Sequence, residues 1–242
     1  MGRCRSVANG VRRARIRRCW CWRWRQRAGL FASSLTTLQK HTPSSVPNVI
    51  EGLQSRYLDE EELRKLGVKH VGTNVRVSEH ATIVGLANVS LGSNIRIDSH
   101  VVILSRRGEF RVGDNVHIEP ASSIVAHRGV TLGSYCTISH GVRLFTESAD
   151  YSGASFTNVF PDGRFSNPKA GAIVVGDHVI IGGNSVVMPG VNVGEGAAIG
   201  ALSFVRNSVE GWAIYAGNPL RRLRDRSTEI REIAKKMSRG EL

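Results

Sequence analysis

Between Val175 and Val205 the chain reads VGDHVIIGGNSVVMPGVNVGEGAAIGALSFV, and an aliphatic residue returns at every sixth place: Val175, Ile181, Val187, Val193, Ile199 and Val205. Four places after each of the first five stands a small or aliphatic residue: Val179, Ser185, Val191, Ala197 and Ser203. Offsets of four and six are both even, so the alternation of a strand turns all these side chains to one face. Repetition at a short fixed period marks a solenoid, whose units bury their apolar faces only against one another. A six-residue period predicts a β-helix, because neither an ordinary helix nor a sandwich calls for that regularity.

The beat extends back to Val71-Gly72 and includes Leu91-Gly92, Ile97, Val112-Gly113, Ile118, Leu132-Gly133 and Ile138. The third place of each hexad is mostly polar or small (Thr73, Ser93, Asp114, Ser134, Asp177, Glu195), as a corner prefers. Three breaks interrupt it. Two residues slip in before Leu91, three are inserted within Ser105–Arg111, and a long excursion runs from Phe145 to Ile173. Long loops in rigid repeats are functional or disordered. The aromatic residues Phe145, Tyr151, Phe156, Phe160 and Phe165 give this one material to pack, which favours function. Upstream, Asp59 reads as the N-cap of a short helix, with Glu62 as its capping-box partner and Gly67 as its stop. Leu63 and Leu66 would lid the first coil. Ile230, Ile233, Ala234 and Met237 mark one face of a C-terminal helix expected to cover the last coil. The expected organisation is a leader over 1–49, a helical cap over 50–70, the β-helix over 71–210 with its loop over 145–173, and a C-terminal segment over 211–242.

The net charge of +13 belongs almost wholly to the leader. Residues 1–50 hold ten Arg, one Lys and no acid, whereas the remainder carries 22 basic against 20 acidic residues. The repeats therefore give no nucleic-acid signal. Three of the four cysteines, Cys4, Cys19 and Cys21, lie in the same leader. The fourth, Cys136, takes an inward place and reads as a buried thiol. The Arg- and Trp-rich stretch Arg12–Arg27 has neither the apolar core of a signal peptide nor a membrane-spanning length. It reads as a disordered or upstream stretch outside the working protein, ahead of a transit peptide or a nucleic-acid or membrane-binding tail. A cytoplasmic protein without a transmembrane segment is expected.

The hexads, the excursion loop, Ile199-Gly200-Ala201 and the closing Ala216-Gly217-Asn218-Pro219-Leu220-Arg221 together resemble the hexapeptide-repeat acyltransferase family. The nearer likeness is to the sugar O-acetyltransferases of surface-polysaccharide synthesis, among them galactoside and maltose acetyltransferases. The resemblance spans about Tyr57 to Arg226. It implies an all-β, left-handed parallel β-helix assembling as a homotrimer, with active sites between subunits. It also implies acetyl transfer from acetyl-CoA to a sugar or nucleotide-sugar acceptor, on a hydroxyl rather than an amine, with no metal. Gly183, Gly200 and Ala201 match places where small residues let the pantetheine arm lie along the coils. Arg206, Arg221 and Arg224 match cations facing CoA phosphates, and a planar guanidinium pairs well with phosphate. Asn207 departs from the Lys common in relatives.

The general base has no direct match. Galactoside acetyltransferases carry a His early in the loop, where this chain has Thr146-Glu147-Ser148-Ala149-Asp150. Three substitutes follow. His117 follows inward Val116 and so faces outward near the acceptor, and imidazole is the side chain suited to proton transfer near neutrality. Asp150 stands beside the lost His, and His140 sits at a corner one turn on. His80, His100, His127 and His178 occupy corner places and should be solvated, and Asn158 is a loop polar residue with no special claim. Two rivals from other classes remain. A zinc lyase of the γ-carbonic-anhydrase kind needs close His pairs, but His117 and His140 are 23 residues apart. A non-catalytic β-helix scaffold is the other.

Overall fold

The computed structural model describes residues 56–157 and 163–241. The expected leader 1–49, with its cysteines, and Asn158 and Phe160 of the loop lie outside these residues.

The hexads wind into a three-sided parallel β-helix of about seven turns. The first coil runs His70–Val71, Val75–Ser78 and Thr82–Val84, one short strand on each face. Each later coil lays its strands on those of the coil before, in register. On the second face Arg96 pairs His117, His117 pairs Thr137, Thr137 pairs Ile180 and Ile180 pairs Ala198. Adjacent coils are thus separated by about 4.8 Å, the strand spacing of a sheet. The inward hexad places form the core: Leu91, Ile97, Val101, Ile118, Ile138, Leu144, Ile181 and Val205 are all essentially inaccessible. Cys136 is among them, and burial pushes its thiol up to about 11.

Polar third places bridge the coils at one corner. The Ser93 amide donates to Asp114 Oδ1 at 2.7 Å, Asp114 N to Ser134 Oγ at 3.0 Å, and Ser134 N to Asp177 Oδ1 at 2.8 Å. The next column takes left-handed backbone at every turn, with φ between 52° and 69°. It reads Asn74, Asn94, Asn115, Tyr135, His178, Gly196 and Trp212. Asparagine tolerates this region and stacks its amides, Asn74 Nδ2 donating to Asn94 Oδ1 at 2.9 Å and Asn94 to Asn115 at 3.1 Å. Beyond them the ladder turns aromatic. Tyr135 stacks on His178 with centroids 4.9 Å apart, His178 lies 6.1 Å from Trp212, and Arg231 covers the Trp212 ring. Gly196 carries no side chain because a Cβ there would come within 2.4 Å of the Trp212 ring. His178, expected to be solvated, is instead buried by this stack, with Nδ1 left without a hydrogen-bond partner.

The first helix, α1 (Glu60–Lys65), forms as expected: Asp59 accepts from Glu62 N, the Glu62 carboxylate accepts from Asp59 N, and Gly67 ends the turn at φ 90°. Leu63 is buried against the first coil, but Leu66 points to solvent. The strand Tyr57–Leu58 adds antiparallel to Val77 and Ser78.

At the far end the expected cover is corrected. The second helix, α2 (Glu229–Ser238), leaves Ile230, Ile233 and Met237 between 37% and 56% exposed. The last coil is closed by the antiparallel pair Ala213–Ala216 and Arg221–Asp225, with Ala213 and Tyr215 buried. Arg226 Nη1 also reaches the carbonyl oxygens of His178 at 2.8 Å and Gly196 at 3.0 Å.

The breaks in the beat have distinct outcomes. The slip before Leu91 becomes a 3₁₀ turn at Leu86–Asn88. The insertion closes on itself through Ser105 Oγ donating to Gly108 O at 2.6 Å, and Phe110 is fully buried. The excursion leaves after Phe145 on an antiparallel stem, Glu147–Ser148 against Lys169–Ala170.

Candidate active site

The edge between the second and third faces gathers several of the expected site residues. Main-chain bonds from Asp98 N to Ile118 O, Glu119 N to Ile138 O, Ser139 N to Ile181 O, Gly182 N to Ile199 O and Gly200 N to Tyr215 O set one residue of each coil above the next. This column thus changes from carboxylates at Asp98 and Glu119 to a bare track at Gly182 and Gly200. One place on, His140, Gly183 and Ala201 form a parallel column. His140 is exposed, its amide donates to Glu119 Oε2 at 3.0 Å, and its carbonyl faces Gly183. A Cβ at Gly200 would meet Ala216 Cβ at 2.9 Å, so the track is flush with the backbone. His140, Gly183, Gly200 and Ala201 therefore share one edge.

His117 projects from the second face, 37% exposed, and its Nε2 lies 2.7 Å from Asp98 Oδ2. Asp98 is 4% exposed. Its other oxygen accepts from Tyr57 Oη and from Arg96 Nε, both at 2.7 Å, and Arg96 also donates to Tyr57 Oη. Burial acts to raise the Asp98 carboxyl, but hydrogen bonds from Tyr57, His117 and Arg96 outweigh it and hold the group below the usual carboxylate value. An ionised Asp98 accepts the Nε2 hydrogen, which leaves the lone pair of His117 on Nδ1. Asp98 and Tyr57 were not singled out from the sequence. The signal was present for Asp98: a carboxylate fills the hexad place that is usually small, and such a side chain needs partners.

Asp150 lies elsewhere. Its Oδ1 accepts from Ser152 N at 2.8 Å and its Oδ2 from Ser155 Oγ at 2.9 Å. Hydrogen bonds from the Ser152 side chain and amide, then from Ser155, lower its carboxyl to about 2. It is an ionised acceptor at neutral pH, with little affinity for a proton. Among the described residues no hydrogen bond or ion pair joins Asp150 to His117 or His140.

The third face and the loop stem enclose a groove. Phe145, Glu147, Ser148, Ala149, Tyr151, Val186, Met188 and Phe204 line a cavity of about 620 Å³, mostly apolar. Phe204 also borders a second cavity of about 430 Å³, formed with Arg206, Asn207, Tyr215, Pro219 and Arg222. Of the three expected arginines, Arg206 lines this cavity. Arg221 and Arg224 stand exposed on the strand beside it, and Arg222, which the sequence reading passed over, takes the lining place. The strand pairing explains the exchange: a register irregularity at Ile214/Tyr215 sets Arg222 opposite Tyr215.

Of the corner histidines, His127 is also less exposed than expected, with Nδ1 3.3 Å from Glu147 at the loop stem. No group of three or more potential metal ligands occurs among the described residues. No described helix is long and apolar enough to cross a membrane.

No model of a protein family matches the chain. Individual proteins do. The chain is 38% identical over 177 residues, 73% of its own length and 92% of the relative's, to a dTDP-4-amino-4,6-dideoxy-D-glucose acyltransferase of Escherichia coli. It is 35% identical over 106 residues to a probable macrolide acetyltransferase of Lysinibacillus sphaericus, covering 39% of this chain and 59% of that one. Among solved structures it superposes on AntD, an N-acyltransferase from Bacillus cereus in complex with dTDP and 3-hydroxybutyryl-CoA, with a TM-score of 0.74 and 30% identity over 77% of this chain and 98% of AntD. A variant of AntD is solved with dTDP-4-amino-4,6-dideoxyglucose and coenzyme A. The fold is thus the β-helix expected from the hexads, with the left hand that the family resemblance implied. With its repeats, its track of small residues and a relative matched along nearly its whole length, the chain belongs to the hexapeptide-repeat acyltransferases.

Proposed function

We propose that this acyltransferase moves an acyl group from a CoA thioester to the amine of a nucleotide-linked amino sugar. The observation that carries the reading is the 38% identity, over 92% of its length, to an enzyme named for a dTDP-linked 4-amino sugar. The sequence alone favoured a hydroxyl acceptor, and the relatives favour an amine. The reading is compatible with the surface-glycan setting and cytoplasmic location expected from the sequence. A homotrimer is part of the same proposal, and the uncovered apolar side chains of α2, Val174 and Ile180 support it. Light scattering on the purified chain tests that part.

In this reading the cavity with Arg206 and Arg222 holds CoA phosphates. The pantetheine arm follows the edge past Ala201, Gly200 and Gly183, where side chains would obstruct it. The thioester then arrives near His140 and the groove under the loop. The acceptor amine attacks the thioester carbonyl, the carbon–sulfur bond breaks, and CoA leaves as its thiol. Proton removal from nitrogen is assigned to a side chain that can take it. Asp150 holds its proton too weakly for that task, so it binds the amine as an ionised acceptor and orients it. His117 is the preferred base, because Asp98 fixes its tautomer with Nδ1 free. Its partners across the active site would come from the neighbouring subunit, since no hydrogen bond or ion pair links it to Asp150 among the described residues.

The test is direct. The purified protein is given acetyl-CoA or 3-hydroxybutyryl-CoA with dTDP-4-amino-4,6-dideoxyglucose, and with the 4-hydroxy sugar nucleotide as control, and thiol release is followed. Release with the amine and not the hydroxyl supports the proposal. Equal or greater release with the hydroxyl overturns it.

A further inference from the structure

The third notable cavity lies outside the groove and the CoA track. It is formed where the 105–111 insertion meets the base of the excursion loop, with a volume of about 440 Å³. Arg107, Glu109, Arg111, His127 and Arg128 supply its titratable side chains, and Gly108 and Gly129 also line it. Two carboxylates serve this cluster. Glu109 pairs with Arg111 and, at 2.6 Å, with Lys69. Glu147 meets Arg128 at 2.8 Å, His127 at 3.3 Å and Arg107 only at 3.9 Å. Four permanent cations thus face two carboxylates, an excess of two positive charges before His127 is counted. The side chains of Arg107 and Arg111 are each more than 60% exposed, so solvent and ligands can reach them. Their guanidinium forks pair bidentately with phosphate oxygens.

Position narrows the ligand. Glu147 belongs both to this cluster and to the wall of the apolar groove, so the two cavities adjoin across one side chain. The CoA-side arginine Arg206 follows the last third-face strand, whereas Arg111 lies on the first face three coils earlier, in register with Thr131 and Val174. One anionic end of a substrate can rest in the cluster while its other end crosses Glu147 into the groove.

We propose that Arg107, Arg111 and Arg128 form the seat for the diphosphate of the nucleotide-linked acceptor. The sugar then extends over Glu147 toward the loop, and the acyl donor enters from the opposite end of the groove. This rests on the nucleotide-sugar reading above, and its test separates the two.

Thymidine diphosphate is titrated calorimetrically into the full-length wild type, into an Arg107→Ala/Arg111→Ala variant, and into Arg206→Ala. An Arg107→Lys/Arg111→Lys variant keeps the charge but not the fork, and serves also if the alanine pair folds poorly. The expected result is binding by wild type, a loss of about tenfold or more in the alanine variant, an intermediate loss in the lysine variant, and no change in Arg206→Ala. The KM for the amino-sugar nucleotide rises in parallel while that for the acyl-CoA stays put. No binding by wild type, unchanged affinity in both Arg107/Arg111 variants, or loss confined to Arg206→Ala overturns the seat. Failure of the amino-sugar reading looks different: the nucleoside diphosphate binds in an arginine-dependent way, yet no acyl group reaches the amine.

Discussion

Replacing Asp98 by Asn removes a charge from a buried, hydrogen-bonded carboxylate and keeps its shape. Asp98 is 4% exposed and accepts three hydrogen bonds of 2.7 Å, from Tyr57, Arg96 and His117. Hydrogen bonds to a buried ion contribute about 1.5–3 kcal/mol each. The Arg96 bond counts for less, since that side chain is 58% exposed and its charge is screened. An Asn amide also sets its NH₂ against one of the three donors, so one bond becomes a clash. A net loss of about 3 kcal/mol follows, which for a domain of this size lowers Tm by about 6–12 °C. The pH dependence has a definite sign. Asp98 is depressed in the folded state, so its contribution is fully present above the unfolded Asp value of about 3.9 and fades as pH falls below it. The gap in Tm between wild type and Asp98→Asn is therefore wide at pH 7 and narrows toward pH 3, as scanning calorimetry at both pH values can show. In turnover, loss of the tautomer lock on His117 lowers kcat by about 10²-fold or more with little change in the KM for acyl-CoA. An equal Tm gap at pH 3 and pH 7, or an unaltered kcat, refutes the reasoning.

Three further outcomes are expected. Gly183→Val places a branched side chain on the track beside the His140 carbonyl, which a Cβ would approach to 3.1 Å. It should weaken CoA binding in calorimetry by about tenfold while leaving Tm within a few degrees. Gly196→Ala combines a left-handed backbone at φ 69° with a clash against Trp212, and should cost about 2 kcal/mol or more in denaturant unfolding. Asp150→Asn should raise the KM for the amino-sugar acceptor; because the wild-type carboxyl stays ionised down to about pH 2, kcat/KM of the wild type should show no limb from this group between pH 4 and 8.

The repeats were legible because burial in a coil is decided by parity within each hexad. Val175, Ile181 and Val187 are inward for the reason they recur. The capping box at Asp59 was legible because its two bonds are local in sequence. Periodicity in α2 showed an apolar face but carried no information about what meets it, so the face was assigned to a coil that the strand Arg221–Asp225 closes instead. His178 was misjudged for a related reason. Its burial comes from Tyr135 and Trp212, each of which becomes a neighbour only after the coil has wound. The candidate site divides in the same way. Gly183, Gly200 and Ala201 were named through the family resemblance, while Asp98, Arg222 and Glu147 depend on cross-coil pairing, a register irregularity and a loop stem.

The excursion loop departs and returns without disturbing the coils it separates. Leu132 pairs Val175 in register although 43 positions apart, just as Val112 pairs Leu132 at 20. Doubling the separation adds only about 0.6 kcal/mol of closure entropy, since that cost grows with the logarithm of length. The stem Glu147–Ser148 and Lys169–Ala170 is then a short two-strand neck through which the loop joins the coils. A loop of different length or composition grafted between Ser148 and Lys169 should leave the solenoid folded and the donor track intact while altering the acceptor. Specificity in such a molecule can be exchanged as a cassette, one hairpin at a time.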